Sequence, residues 1–283
     1  MPPLAVVLLL LSAILHTSWN LLLKQTNEKF ISTWWAVLVG SALFLPALLF
    51  TGFPARQTWI LLLASVCIEV IYYGLLSRAY TDSEFSLIYP LARGSAPAFI
   101  VLWSIIFLGE ELSPGGWVGL IIIILGLFIV GSNGVLSTQT KPHLAGILLA
   151  ITIAFLISIY TVIDGAAVKQ TSAFPYAIVV FFLAPVLTSP LVIHTYGRRR
   201  LIEVWNQNKR RIIAIGLLTV CAYLLALAAY TMAPVSYAGT IREVSVVLGA
   251  LAGWKLLGEK MGWQRMMGSV IIFIGVLIVA SAG

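Results

Sequence analysis

A carboxylate, Glu69, sits inside the apolar run WILLLASVCIEVIYYGLLS, with Tyr72 and Tyr73 following at i+3 and i+4. Side chains at those spacings are neighbours on a helix. One negative charge beside two phenols could bind a proton or a cationic group, or it could pair with an arginine on another helix. Arg93 stands in IYPLARGSAPAFIVLW, beside Gly94 and between Pro90 and Pro97. Pro97 removes a backbone hydrogen bond to residue 93, and Pro90 disfavours helix just before it. The stretch therefore predicts a kinked helix with Arg93 pointing inward, where it could hold a carboxylate or phosphate at two points. It could equally neutralise Glu69 or Glu243. Tyr89 and Ser86, at i−4 and i−7, extend a polar stripe from Arg93. The stretch YAGTIREVSVVLG adds Arg242 and Glu243 without a proline. Adjacent helical residues point about 100° apart, so these two need not pair with each other. Together Arg93, Arg242, Glu69 and Glu243 sum to zero charge, which suits an internally paired cluster and also a site whose pairs exchange with substrate.

Ser12, His16, Trp19, Asn20 and Lys24 recur at spacings of four and three, which places them on one helix face. His16 could shuttle protons or be hydrogen-bonded in place, while Trp19 and Asn20 suit a cavity wall. Tyr160, Thr161 and Asp164 form a similar face later on; Asp164 lies near a span end, where a rim position or a lysine partner is expected. Bond-making chemistry is not foreseen. The chain has no His-Glu-x-x-His pattern, no Gly-x-Ser-x-Gly elbow, no acid cluster suited to Mg²⁺ and no Walker A loop. No catalytic residue, metal ligand or cofactor is expected.

The elements that must position these groups follow from composition. Of 283 residues, 60% are hydrophobic and 10% charged, with a mean hydropathy of +1.03. A soluble surface needs roughly 25% charged residues, so the solvent for most of this chain is lipid. Residues 30–55, 112–140, 170–193, 212–241 and 266–283 carry no Asp, Glu, Lys or Arg, and about 20 apolar residues span a bilayer. The expected fold is all-α and polytopic, with about ten transmembrane helices near 4–24, 31–51, 57–79, 85–107, 115–133, 144–167, 174–195, 211–231, 235–257 and 263–281. The apolar start of the chain is read as the first of these spans, with a cleaved leader as the alternative. Cys67 and Cys221 fall within apolar runs and are expected to be small packing residues, with no disulfide framework.

With ten spans, Lys24, Lys29, Arg78, Lys141, the cluster from Arg198 to Arg211, Lys260 and Arg265 fall in odd-numbered loops. The positive-inside rule puts those loops in the cytoplasm and both termini outside. The net charge of +7 comes largely from that one cluster, so nucleic acid is not an expected partner.

The chain also repeats itself. LGEELSPGGWVGLIIIILG (108–126) and LGEKMGWQRMMGSVIIFIG (257–275) share Leu, Gly, Glu, Gly and Gly at a constant offset. RAYTDSEFS (78–86) resembles AAYTMAPVS (228–236), and LLKQT (22–26) resembles AVKQT (167–171). Two halves of five spans each follow, and since five is odd the second must be inverted. These residues resemble the EamA domain of the drug/metabolite transporter superfamily, as does the opening HTSWNLLLK. The resemblance covers nearly the whole chain, with one five-helix repeat over 4–136 and an inverted one over 144–281. It implies a transporter, often an exporter of amino acids, other small metabolites or drugs.

The expected function is therefore secondary active transport of an amino acid or similar metabolite by alternating access, coupled to protons through Glu69 and His16. The substrate contacts expected are Trp19, Asn20, Tyr72, Tyr73, Tyr89, Arg93, Arg242 and Glu243. A channel or a flippase for lipids or lipid-linked metabolites is the alternative, and an intramembrane enzyme is disfavoured. The expected partners are a small-molecule substrate and the bilayer of a bacterial inner membrane; a homodimer is an assembly the chain could form.

Overall fold

Backbone polar groups have no water to bond in a bilayer core, so each apolar run has to satisfy them internally. The computed structural model, which describes residues 1–82, 85–137, 144–257 and 263–282, is helical over most of the described part of its apolar runs. Helices α1 (Pro3–Lys24), α2 (Lys29–Phe44) and a short α3 (Leu48–Thr51) are followed by α4 (Trp59–Asp82), α5 (Phe85–Leu108) and α6 (Pro114–Ser137). The later part of the chain gives α7 (Leu144–Val168), α8 (Ala173–Met232), α9 (Val235–Arg242), α10 (Val244–Leu257) and α11 (Trp263–Ala282). Among the described residues, five stretches are long and apolar enough to cross a membrane: Pro3–Lys24, Lys29–Thr51, Arg56–Leu76, Leu148–Val168 and Ala173–Met232. Lys141, Glu259 and Lys260 lie outside the described residues.

α5 is helical from Phe85 to Leu108 through Pro90 and Pro97, and Arg93 on it is buried as expected. One expectation is corrected: the span expected at 235–257 is interrupted where no proline stands, at Glu243 between α9 and α10. There Glu243 N–H donates to Thr240 O (3.1 Å) and Val246 N–H to Glu243 O (3.0 Å), a local tightening to i→i−3 bonds. The spans expected at 174–195 and 211–231 are joined by helix, with one non-helical residue, Gly197, at φ 73° and ψ 147°. That backbone region favours glycine, and the chain doubles back there. Tyr176 before the turn and Tyr223 after it reach the same carboxylate, Asp164.

The helices of the two halves meet through glycine. A Cβ on Gly119 would lie 3.0 Å from Gly275 O, one on Gly126 would lie 2.9 Å from Gly268 O, and one on Gly275 would lie 2.9 Å from Gly119 O. Only glycine lets α6 and α11 come this close. The contacts are reciprocal: the positions matched by the internal repeat, 119 with 268 and 126 with 275, face each other crosswise. α6 and α11 therefore run antiparallel.

The connecting segments sort onto two ends of the bundle. At one end Arg200 meets Glu28, and Arg211 donates to Gln25 O at 2.9 Å. At the other, the Ala55 N–H donates to Thr171 Oγ1 at 2.9 Å and Ser113 Oγ donates to Ala282 O at 3.0 Å. Cys67 is a free thiol exposed on the outer surface, and Cys221 is a free, half-buried one.

Candidate functional site

Charged side chains survive in a membrane interior only when they are paired or face a polar cavity. Both situations occur in the middle of this bundle. Arg93 from α5 donates to Glu243 Oε1 at 3.1 Å, and both residues are almost fully buried, at 5% and 1% exposure. The same guanidinium contacts His16 Nε2 on α1. His16 Nδ1 in turn faces Trp19 Nε1–H at 3.2 Å. Both ring nitrogens therefore face N–H donors, while a neutral imidazole accepts at only one of them. The cluster joins α1, α5 and the break after α9, where Glu243 lies within reach of Arg93.

Next to this cluster lies a polar cavity of about 30 Å³. Glu69, Tyr72 and Tyr73 line it from α4, His16 and Trp19 from α1, and Arg242 from α9. Tyr160 on α7 and Phe181, Thr219 and Tyr223 on α8 complete the wall. Glu69 is 2% exposed, and its Oε2 accepts no hydrogen bond among the described residues. Arg242 donates to the Tyr230 hydroxyl at 3.1 Å, and among the described residues no carboxylate lies within ion-pair distance of it. The cavity thus holds an acid with an unused acceptor and a base with unused donors.

Of the expected site residues, His16, Trp19, Glu69, Tyr72, Tyr73 and Arg242 share this cavity. Arg93 and Glu243 stand behind it, engaged with each other. Asn20 is turned along its own helix, its Nδ2 donating to His16 O at 2.8 Å. The side chain of Tyr89 lies outside the described residues. The sequence reading missed most of the second-half wall. It also placed Asp164 at a rim, but Asp164 is fully buried and accepts from Tyr176 at 2.7 Å and Tyr223 at 2.5 Å. The signal that could have located it was its place on the Tyr160 face.

At one end of the bundle the two halves are tied together through Glu110. Glu110, at the end of α5, accepts from the Val235 N–H at 2.7 Å, the Ser236 N–H at 2.9 Å and the Ser236 hydroxyl at 2.6 Å. Lys169, just past α7, reaches the same carboxylate at 3.4 Å. A helix start offers unpaired N–H groups and a partial positive charge, and here an acid from the other half satisfies them. Glu110 thus meets a basic residue and caps α9, a helix far along the chain from its own.

Comparison with known proteins adds the following. The pattern of the EamA-like transporter family matches residues 3–132 and 144–281. The uncharacterised transporter YwfM of Bacillus subtilis is 24% identical over 255 residues, 87% of this chain and 82% of the relative. The pseudopaline exporter CntI of Pseudomonas aeruginosa is 24% identical over 201 residues, 68% of this chain and 64% of that protein. A solved crystal structure superposes with a TM-score of 0.79 at 18% identity, covering 98% of this chain and 97% of its own. That likeness shows a shared fold.

Proposed function

We propose, from the premise that the chain belongs to the EamA-like transporter family and is a multi-pass membrane transporter, that it exports a small zwitterionic metabolite, an amino acid or similar. Transport proceeds by alternating access, with a proton as the coupling ion. The observation that carries this reading is the central cavity, where Glu69 has an unused buried oxygen and Arg242 meets no carboxylate among the described residues. A substrate ammonium placed at Glu69 and a carboxylate at Arg242 would satisfy both. Unpaired buried charge is costly, so an empty site has reason to bind a proton or a substrate. Export is supported by the relative named an exporter, and the bacterial plasma membrane by the bacterial relatives.

Alternating access needs two halves and one closed end. The crosswise glycine contacts of α6 and α11 support ten spans in two inverted repeats, 4–136 and 144–281, since an antiparallel pair related by a local two-fold is what such repeats produce. The Glu110 cluster supports a state closed at the end that carries Lys169. A homodimer is compatible with this reading but not required, because the central site is built within one chain.

The test is proton flux in proteoliposomes with an internal pH dye, on adding pooled amino acids and then other metabolites. A saturable, substrate-dependent pH change that Glu69→Gln abolishes is the expected result. An equal signal from wild type and variant would remove Glu69 as the carrier. Unsaturable conductance would favour a channel, and movement of labelled lipid between leaflets a flippase.

A further inference from the structure

A second cavity, also about 30 Å³, opens between α2, α4 and the first arm of α8. Its walls are Phe30, Trp34, Val37, Val70, Ala184 and Pro185, together with Tyr73. Tyr73 lines the central polar cavity as well, so one phenol ring divides the two spaces. The α8 wall is continuous between them. Phe181 borders the polar cavity, and Ala184, Pro185 and Thr188 follow at i+3, i+4 and i+7 along the apolar one, which is one helix face.

The threonine and tryptophan polar atoms on the rim of the apolar cavity are already engaged. Thr33 Oγ1 donates to Lys29 O at 2.8 Å, Thr188 Oγ1 to Ala184 O at 3.0 Å, and Trp34 Nε1 to Pro185 O at 3.0 Å. A polar group entering here would lose its water and gain little in return, whereas an apolar group loses nothing. Across Tyr73 the demand is opposite. Glu69 Oε2 is buried and accepts no hydrogen bond among the described residues, and the rings of Tyr72, Tyr73 and Tyr160 gather beside it, Tyr72–Tyr73 at 5.2 Å and Tyr72–Tyr160 at 5.7 Å between centroids. An acid among aromatic faces suits an ammonium group.

We propose that the apolar cavity is a subsite of the central site, and that the transported molecule carries an ammonium group at Glu69 and an apolar arm that passes Tyr73 into the space beside Trp34 and Val70. The proposal rests on the reading of the central cavity as the substrate site and adds the shape of the substrate. Each space is small enough to take one group, so the two are filled by two ends of one molecule.

The experiment is isothermal titration of the full chain in detergent with phenethylammonium and with ethylammonium, using Glu69→Gln in the same micelles as the reference for partitioning. Wild type is expected to bind phenethylammonium at least about tenfold more tightly, because the buried ring adds apolar contact. Glu69→Gln should lose both probes. Val70→Trp fills the arm space and should bring the ratio between the probes below about threefold; Ala184→Leu is the smaller substitution, used where Val70→Trp lowers the melting temperature. A wild-type ratio near one, a ratio unchanged in a folded Val70→Trp or Ala184→Leu variant, or no heat from either probe overturns the proposal. The transport reading falls separately. If pooled metabolites still drive Glu69-dependent pH changes while the probe ratio is one, only the apolar subsite is wrong.

Discussion

Removing one partner of a buried ion pair strands the other, and Arg93 with Glu243 is such a pair. Arg93→Ala should cost about 3–5 kcal/mol of stability, the usual penalty for an uncompensated buried charge. Exchanging both residues for apolar ones, as in Arg93→Met with Glu243→Leu, should recover most of that loss while abolishing transport. Thermal melting in detergent together with proteoliposome flux checks both parts; equal melting of the single and double variants would show the pair is not coupled. At Asp164 the demand is for acceptors. Both carboxylate oxygens take tyrosine hydroxyls, and an amide offers only one acceptor atom. Asp164→Asn should therefore cost about 1–3 kcal/mol by leaving one buried tyrosine O–H proton without an acceptor. Tyr223→Phe in the Asp164→Asn background should then cost less than Tyr223→Phe in wild type, read as a double-mutant cycle of melting free energies.

At the scale of elements, two contacts set how helices meet. α6 and α11 touch backbone to backbone at Gly119 and Gly275, where a Cβ on Gly119 would lie 2.9 Å from Val279 N. Gly119→Val must push the helices apart, and overpacking of this kind costs about 1–3 kcal/mol. A melting temperature equal to wild type would mean the two helices are not held at this distance. The start of α9 is held by Glu110, which takes its first free N–H groups. Glu110→Ala should remove a helix cap worth about 0.5–2 kcal/mol. Amide exchange measured on a peptide covering 233–240 should then become faster, with little change at α2. Unaltered exchange there would show that the cap does not restrain this end.

At the scale of the whole molecule, the connecting segments separate onto two ends, and the basic cluster from Arg198 to Arg211 defines one of them. Positive charge resists translocation, so a cysteine at Lys209 should react with an impermeant thiol reagent only from the cytoplasmic side. A cysteine at Lys169 should react only from outside. Both would be placed in a Cys67→Ser, Cys221→Ser background. Labelling of both positions from one side would overturn the two-ended arrangement, and reversed labelling would invert its orientation.

The sequence alone determined what depends on neighbours along the chain. Helix formation in lipid is local, since each segment must bond its own backbone and needs only enough apolar length. That is why Pro3–Lys24, Trp59–Asp82 and Leu144–Val168 fall within a few residues of where hydropathy places them. The two LGE stretches made the repeat and the family legible, and Glu69 with Tyr72 and Tyr73 was marked by charge and spacing alone. The tertiary structure decided everything that depends on which helices touch. Arg93 finds Glu243 150 residues away, Asp164 is buried by tyrosines from both arms of α8, and Glu110 caps a helix of the other half. The break at Glu243, where no proline stands, and the continuity of α5 through two prolines were also settled there. The reason is physical: in a medium without water a helix can form by itself, but a buried charge or a strained turn is tolerable only against the partner that three-dimensional assembly brings to it.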